Sequence, residues 1–379
     1  MRTERTAHQL ADIIDLIGGG TPKTSIPEYW DGEIPWLSVK DFNNDDRYVY
    51  STEKSITQTG FNNSSSKMLA HDDIIISARG TVGELAMIPF PMAFNQSCYG
   101  IRGKKGAILQ TYLYYLLKDS IRLLENQTHG SVFDTITRNA FANIKVNLPM
   151  IHEQQTVADT LTALDDKIAA NKRINHRLEQ MAQAIWSERF GGLEPNGKLG
   201  EVIEIFDSKR VPLSGSQREK MDKTYPYYGA AALMDYVDDY LFDGIYLLLG
   251  EDGSVIDDSG FPVLQYVWGK FWVNNHAHIL QGRNGFTVES LYVLLSQTGV
   301  ASIITGAVQP KINQANLKAL EVVIPSRNEM VQFNDTVDSL FVQIRNHHDE
   351  NLRLAALRDT LLPRLMSGEL SVADAGVKR

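Results

Sequence analysis

Few residue groupings in this 379-residue chain could carry out covalent chemistry. NNHAH (274–278) places His276 and His278 two residues apart, on one face of a strand, as a metal site might begin. No third ligand accompanies them in the sequence, and a hydrogen-bonding or core role fits both. DYVDDYLFDG (235–244) gathers carboxylates in a way that solvated acidic loops share. GEDGS (250–254) follows an apolar run, as a nuclease carboxylate would, but lacks the lysine of an E-x-K arrangement. GGGTPK (18–23) has glycines without the spacing of a phosphate-cradling loop, and no GxGxxG opens a helix. A GxSxG elbow and an HExxH helix are both missing. Cys98 stands alone, which excludes an intrachain disulfide framework and a cysteine-built zinc site. These residues point away from catalysis by this chain and leave no metal or cofactor assigned to it.

Composition sets the remaining bounds. Hydrophobic residues make up 43% and charged residues 22%, ordinary for globular domains of this length. No apolar run approaches the roughly 18–20 residues of a membrane span. The opening MRTERTAHQLADII lacks a secretory-type apolar core, so a cytoplasmic location is expected. The net charge is −9. Residues 1–150 carry 15 Lys/Arg against 16 Asp/Glu, 151–195 carry 5 against 7, 196–325 carry 10 against 15, and 326–379 carry 7 against 8. No segment is basic, an obstacle to any role that grips nucleic acid by bulk charge.

The organising signal is an internal repeat. NLPMIHEQQTVADTLTALDDKI (147–168) is echoed by VIPSRNEMVQFNDTVDSLFVQI (323–344) at a constant offset of 176, which pairs Pro149 with Pro325 and Glu153 with Glu329. Val157, Leu161, Leu164 and Ile168 fall on Phe333, Val337, Leu340 and Ile344, a heptad seam in both copies. The register continues to Leu178 and Leu354, then to Ile185 and Leu361. Between them the seam turns polar, with Asn171 and Asn175 in the first helix and His347 and Asn351 in the second. Such a layer can fix the register of a helix pair. Helices of about 36–40 residues would be about 55–60 Å long, too long to pack inside one globule. Antiparallel pairing would make them a spacer.

The stretches before the helices repeat more loosely. DIIISARGTV (73–82) sits against IYLLLGEDGSV (245–255), with Ser77 opposite Gly250 and Gly80 opposite Gly253. AFNQS (93–97) matches WVNNH (272–276), and IPWLSVKDF (34–42) matches YPYYGAAAL (225–233). Two homologous globular segments, 1–150 and 196–325, each followed by a long helix, account for this order. GGLEPNGK (191–198) has the composition of the joint.

The ordered set of motifs resembles one family. GGTPK, EYWDGEIPWLSVKDF (28–42), ITQTGFNNSSSKML (56–69) and IIISARGTVGELAM (75–87) resemble the first target-recognition domain of type I restriction–modification specificity subunits. Residues 141–186 resemble that family's central conserved helix. Residues 225–255 with 269–280 resemble a second recognition domain, and LRDTLLPRLMSGEL (357–370) resembles the C-terminal conserved region. The resemblance implies an α+β fold with two mixed α/β target-recognition domains, 1–150 and 196–325. Two long conserved helices, 151–195 and 326–366, would separate them as an antiparallel coiled coil with pseudo-twofold symmetry, and 367–379 would form a tail. It implies a non-catalytic subunit in which each domain reads half of a bipartite site on double-stranded DNA. The implied partners are two adenine-methyltransferase subunits, binding S-adenosylmethionine, and two motor-nuclease subunits using ATP and Mg. Methyltransferase surface supplying much of the phosphate neutralisation would answer the charge obstacle. The alternative, which the acidic balance favours slightly, is a two-headed coiled-coil scaffold binding proteins or glycans.

Base reading needs donors and acceptors on exposed loops with cations nearby. In the first domain the candidates are Thr21, Lys23, Lys40, Ser77, Arg79, Thr81, Asn95 and Gln96, with Lys67 and His129 behind them. Asn95 and Gln96 suit bidentate pairing with adenine, and equally suit a turn bonding its own backbone. In the second domain they are Lys209, Arg210, Tyr227, Asn274, Asn275, His276 and Lys311, with Tyr228 and Lys270 behind them. A strand-core role fits Tyr227 and Tyr228 as well. Arg173, Arg177 and Arg345 are candidates for a partner-docking face, and Trp186 and Phe190 for packing against a globule or a partner.

Overall fold

Pro149 and Pro325 each stand two residues before a long helix, Ile151–Phe190 (the central helix) and Arg327–Ser367 (the C-terminal helix). The second start is a capping box: Glu329 Oε2 accepts from the Ser326 N–H at 2.8 Å while the Glu329 N–H reaches Ser326 Oγ at 3.4 Å. At the first, buried Gln154 donates to the Pro149 carbonyl and accepts from the Leu109 N–H, tying the helix start to the globule. Gly368, at φ 73°, ends the C-terminal helix in the left-handed conformation that glycine tolerates.

A computed structural model of the chain describes residues 5–127, 136–257, 259–306 and 309–371. The chain divides into two units, Met1–Asn171 with Asp349–Arg379, and Lys172–His348. The division cuts each long helix near its middle, so each unit contains half of both helices. Mixed sheet and helix content matches the α+β class. Among the described residues no helix is long and apolar enough to cross a membrane.

Unit 1 carries two four-stranded sheets. One orders Ile14–Gly18, Cys98–Gly103, Ile74–Ser77 and Leu85–Met87, all antiparallel. The other orders Lys54–Ile56, Trp30–Leu37, Met92–Phe94 and Met68–Leu69, parallel only between Trp30–Leu37 and Met92–Phe94. Residues 112–117 of the helix Gln110–Gln127 are all buried, so the rest of the unit encloses this stretch on every side. Val157, Ala158 and Leu161 of the central helix and Leu362, Leu365 and Met366 of the C-terminal helix share its core.

Unit 2 is built on one six-stranded sheet. Its order is Ile203–Ile205, Ala277–Gly282, Phe242–Gly250, Leu264–Val273, Tyr225–Tyr228 and Leu233–Val237. Here too a single neighbour pair is parallel, Tyr225–Tyr228 with Leu264–Val273. Leu178, Ala182, Trp186 and Phe190 pack with Phe333, Val337, Phe341 and Ile344 in the core. The heptad seam therefore serves twice, joining the helices to each other and anchoring them on a sheet.

The repeat extends to individual backbone hydrogen bonds. Trp36 pairs with Ala93 as Tyr227 pairs with Trp272. The Asn95 N–H donates to the Leu37 carbonyl at 3.0 Å, and Asn274 donates to Tyr228 at 3.0 Å. Ala78 donates to Ser97 and Glu251 to His276, both at 2.8 Å. Ile136 donates to Ala78 and Ile312 to Glu251, both at 2.9 Å. Gly80 and Gly253 share φ values of 80° and 77°. One backbone frame is used twice.

In unit 1 a buried ionic cluster joins both helices to the globule. Arg358, 4% exposed, donates to Asp165 at 2.8 Å and to Asp45 at 2.9 Å, and Tyr115 donates to Asp165 at 2.6 Å. Arg358→Ala would strand the Asp165 carboxylate in the core, so a loss of about 3–5 kcal/mol is expected in urea unfolding. Replacing Arg358 and Asp165 together by leucine is expected to cost far less, because no unpaired charge remains.

Candidate nucleic-acid interface

In unit 1 the loop holding GGGTPK is pressed against the sheet end. A Cβ on Gly19 would fall 2.0 Å from the Asn95 carbonyl oxygen, and one on Gly20 would fall 2.4 Å from Ser65. The glycines thus serve close approach. The Gly20 carbonyl accepts from Trp36 Nε1 at 3.1 Å and Ser66 Oγ at 2.7 Å, which leaves Thr21 positioned to donate to Gln96 Oε1. Lys23 is exposed.

Beside that loop lies an open concavity of about 370 Å³ whose lining includes Lys40, Lys54, Arg79, Thr81, Asn95 and Ser97. Lys40, Arg79, Thr81 and Asn95, all anticipated from sequence, converge here. Lys40 has an 82% exposed side chain and only a 3.7 Å contact with Glu53. Arg79 is exposed on the turn between Ile74–Ser77 and Leu85–Met87, with no carboxylate at ion-pair distance among the described residues. A cation held out on a turn, with no counter-ion among the described residues, suits an anion or a base acceptor. Asn95 Oδ1 is used locally, accepting from the Ser97 N–H at 3.0 Å, and only its amide nitrogen remains for a ligand. Lys54 was missed from sequence; its place on the strand paired with Trp30–Leu37 brings it to this rim. His129 lies outside the described residues.

Ser77 is a correction. It is fully buried, and its Oγ accepts from the Glu84 N–H at 2.8 Å, closing the turn that carries Arg79. It shapes the interface from beneath.

Unit 2 presents different chemistry on the same frame. Arg210, Tyr227 and Asn274 turn inward, against the expectation that they face a ligand. Arg210 donates to Glu251 at 2.6 Å and to the Ala277 carbonyl at 2.7 Å. Tyr227 is 1% exposed, with its hydroxyl on the Leu213 backbone. Asn274 is 4% exposed and its Oδ1 accepts from the His276 N–H at 2.8 Å, the turn that Asn95 makes in unit 1. Tyr228 packs edge-on against Phe271. Lys209, Asn275, His276 and Lys311 remain on the surface, His276 bonded to Asp252 at 2.6 Å and Lys311 3.2 Å from Glu251. Lys270 lies over the Tyr240 ring.

His276 and His278 do not converge. His278 is fully buried, with Nδ1 on Asp207 at 2.6 Å and Nε2 on the Ile312 carbonyl at 2.8 Å. Both ring nitrogens are engaged within the protein, one by a carboxylate and the other by a backbone carbonyl. Asp207, Glu251 and His278 have the spacing of a ligand set. Their carboxylates are instead engaged by Arg210, Lys311, Gln314 and the Ile279 N–H. The cluster clamps the loop 207–210 to the sheet.

Of the helix residues, Asn171 Nδ2 donates to Glu350 at 2.7 Å and to Asn351 at 2.9 Å within unit 1. Within unit 2, Asn175 meets His347 Nδ1 at 2.8 Å and donates to the Ile344 carbonyl at 3.1 Å. Arg173 and Arg177 are exposed. Arg345 is a further correction, drawn in to Glu289 at 2.9 Å and to the Tyr266 hydroxyl. Trp186 and Phe190 are buried in the core of unit 2 against Phe333.

Comparison with known proteins agrees with this architecture. The family described as type I restriction modification DNA specificity domain matches twice, over residues 6–180 and 195–355. The chain is 25% identical to the type I restriction enzyme MjaIX specificity subunit of Methanocaldococcus jannaschii, covering 97% of this chain and 93% of the relative. It is 22% identical to the Escherichia coli EcoprrI specificity subunit, covering 87% and 86%. A crystal structure of a type I restriction–modification S subunit from M. genitalium shares the fold, with a TM-score of 0.52, 16% identity and 96% of each chain covered.

The acidic cluster makes unit 2 sensitive to pH. Burial pushes the Asp207 and Glu251 carboxyls up, but bonds from His278 and Arg210, with their neighbouring charges, outweigh it and hold both below their ordinary values of 3.8 and 4.5. Carboxyls lowered on folding stabilise the native state above those ordinary values, and the contribution disappears as pH falls through the lower folded values. Resistance to urea unfolding is therefore expected to fall as pH drops below 4.5 and then 3.8, with a shallower acid slope in Asp207→Asn.

Proposed function

The chain belongs to the type I restriction modification DNA specificity family, and from that premise we propose that it is the non-catalytic DNA-reading subunit of a restriction–modification complex. Each globular segment reads one half of a bipartite site on double-stranded DNA, and the paired helices set the gap between the halves. The observation that carries this reading is the doubled backbone frame: one set of long-range hydrogen bonds presents two chemically unlike sets of loops. The match to a DNA specificity domain over both segments favours this reading over a two-headed protein- or glycan-binding scaffold.

The subunit recruits two adenine-methyltransferase subunits and two motor-nuclease subunits. S-adenosylmethionine, ATP and Mg belong to those partners, and the complex works in the cytoplasm, where its DNA is. Exposed Arg173 and Arg177 suit a docking face on the central helix. The net charge of −9 fits a reader whose phosphate grip comes largely from its partners. In unit 1, Arg79 and Lys40 supply the local cations, and Thr21, Thr81 and Gln96 the neutral polar groups. In unit 2, Asn275, His276 and Lys209 are the outward-facing polar groups.

Three measurements on the reconstituted complex test this. Exchanging residues 1–150 for those of another family member should change one half-site of the methylated sequence, and a change in both would sink the two-reader model. Inserting a heptad into both helices lengthens each by about 10 Å, so the gap should grow by about three base pairs. Arg79→Ala should relax discrimination at one position by about 1–3 kcal/mol if the guanidinium reads a base, or reduce the salt slope by about one if it holds a phosphate.

A further inference from the structure

The shared frame allows the exposed turns of the two units to be matched residue by residue. In unit 1 the parallel pairing ends at Leu37, and turn 38–41 follows. In unit 2 it ends at Tyr228, and turn 229–232 follows. Asn95 and Asn274 bond the last strand residue at the same 3.0 Å, so Ala230 and Ala231 stand where Val39 and Lys40 stand. Where unit 1 offers Lys40, unit 2 offers a run of exposed apolar residues. Ala231 and Ala232 are exposed, and Leu233, Met234 and Tyr236 are 43%, 54% and 40% exposed. One exposed leucine means little, but adjacent exposed apolar residues on a hairpin beside polar loops mark a contact surface.

The surface is built. The Gly229 N–H donates to the Ala232 carbonyl at 2.9 Å, and Gln265 Nε2 holds the Gly229 carbonyl at 3.0 Å. Met234 lies across Gly229, where a Cβ would fall 2.4 Å from its sulfur, and Asn274 Nδ2 lies 3.4 Å from that sulfur. The Ala230 carbonyl stands 3.3 Å from where a Cβ of Gly250 would be, so the hairpin tip abuts the turn that Asp252 shares with His276. Apolar tip and Asn275/His276 loop form one surface. Strand Leu233–Val237 is a sheet edge, but Lys223 Nζ occupies the Tyr236 carbonyl at 3.1 Å and Asp235 at 2.9 Å. A lysine so placed blocks the addition of another strand and disfavours a protein partner pairing there.

We propose that the hairpin tip of unit 2, centred on Ala231, Leu233 and Met234, reads thymine 5-methyl groups in the major groove, with Asn275 and His276 meeting the polar edges of neighbouring bases. This rests on the reading of unit 2 as a DNA half-site reader. The methyl is the apolar group by which thymine differs in that groove, and alanine and other apolar side chains recognise it. Unit 1 has Lys40 at the matched turn, so the two units differ there in chemistry as well as in sequence.

The test uses the complete complex with methyltransferase subunits and duplexes carrying the methylated site, its halves assigned by exchange of residues 1–150. Deoxyuridine, which lacks the methyl, replaces thymine one position at a time. In the half read by unit 2, binding is expected to weaken about fourfold for each contacted methyl, as for loss of one buried methylene. In the other half any effect should be the same in wild-type and Met234→Ala complexes. In Met234→Ala and Leu233→Ser complexes the difference between thymine and deoxyuridine duplexes should shrink. Equal binding of thymine and deoxyuridine duplexes throughout the unit 2 half would overturn the proposal while leaving the half-site reading intact. Loss of all sequence discrimination by the wild-type complex would instead overturn that underlying reading.

Discussion

Each globule is closed by a short antiparallel pairing between its first strand and the strand just before its helix. In unit 1, Thr6–Gln9 pairs with Lys145–Leu148, and in unit 2, Gly197–Lys198 pairs with Glu321–Val322. The Leu10 N–H donates to the Ile144 carbonyl at 2.9 Å, as Leu199 does to Leu320 at 2.8 Å. This clasp brings the entry and exit of each globular segment together, so about 120–140 residues form a closed excursion from the helical frame. Backbone pairing of this kind depends little on side-chain identity. Loops elsewhere on the globule can therefore change without altering where the helix departs.

That separation explains how one frame tolerates two surfaces. At the matched glycine turns, unit 1 has Arg79 before Gly80 and unit 2 has Asp252 before Gly253, with nearly the same φ at each glycine. The guanidinium of Arg79 stays in solvent, whereas Asp252 draws in His276. Unit 2 also spends Arg210 internally, and Lys311 is drawn to Glu251. Beside this turn neither Arg210 nor Lys311 is left without a carboxylate partner. The charge deficit noted in the sequence is sharpest in this unit.

The repeating features were legible because their signals are local or periodic. The heptad spacing, the prolines before each helix and the glycine turns follow from backbone requirements that a sequence states directly. Side-chain direction at the loops was not legible. Arg210 looked like a surface cation until Glu251, 41 residues away, drew it in. Ser77 and Tyr227 satisfy backbone groups that the sequence gives no means of locating. The apolar tip is hidden for the opposite reason, since alanines and a methionine beside a strand read as core until the edge position exposes them.

The polar residues in the helix seam follow from the same economy of partners. Asn171 is fully buried, and its amide nitrogen is satisfied only where Glu350 and Asn351 lie. Sliding the C-terminal helix by a heptad would put Gln343 and Ile344, or Leu357 and Arg358, in the places of Glu350 and Asn351 and remove one or both acceptors of this buried amide, at a cost of about 1–3 kcal/mol. Asn175 imposes the same condition on His347 and the Ile344 carbonyl within unit 2. Apolar heptads alone accept such slips, because leucine meets leucine in either register. Two amides with fixed partners make one alignment preferable to its neighbours, and a helix pair can serve as a measure of distance only if its alignment is fixed.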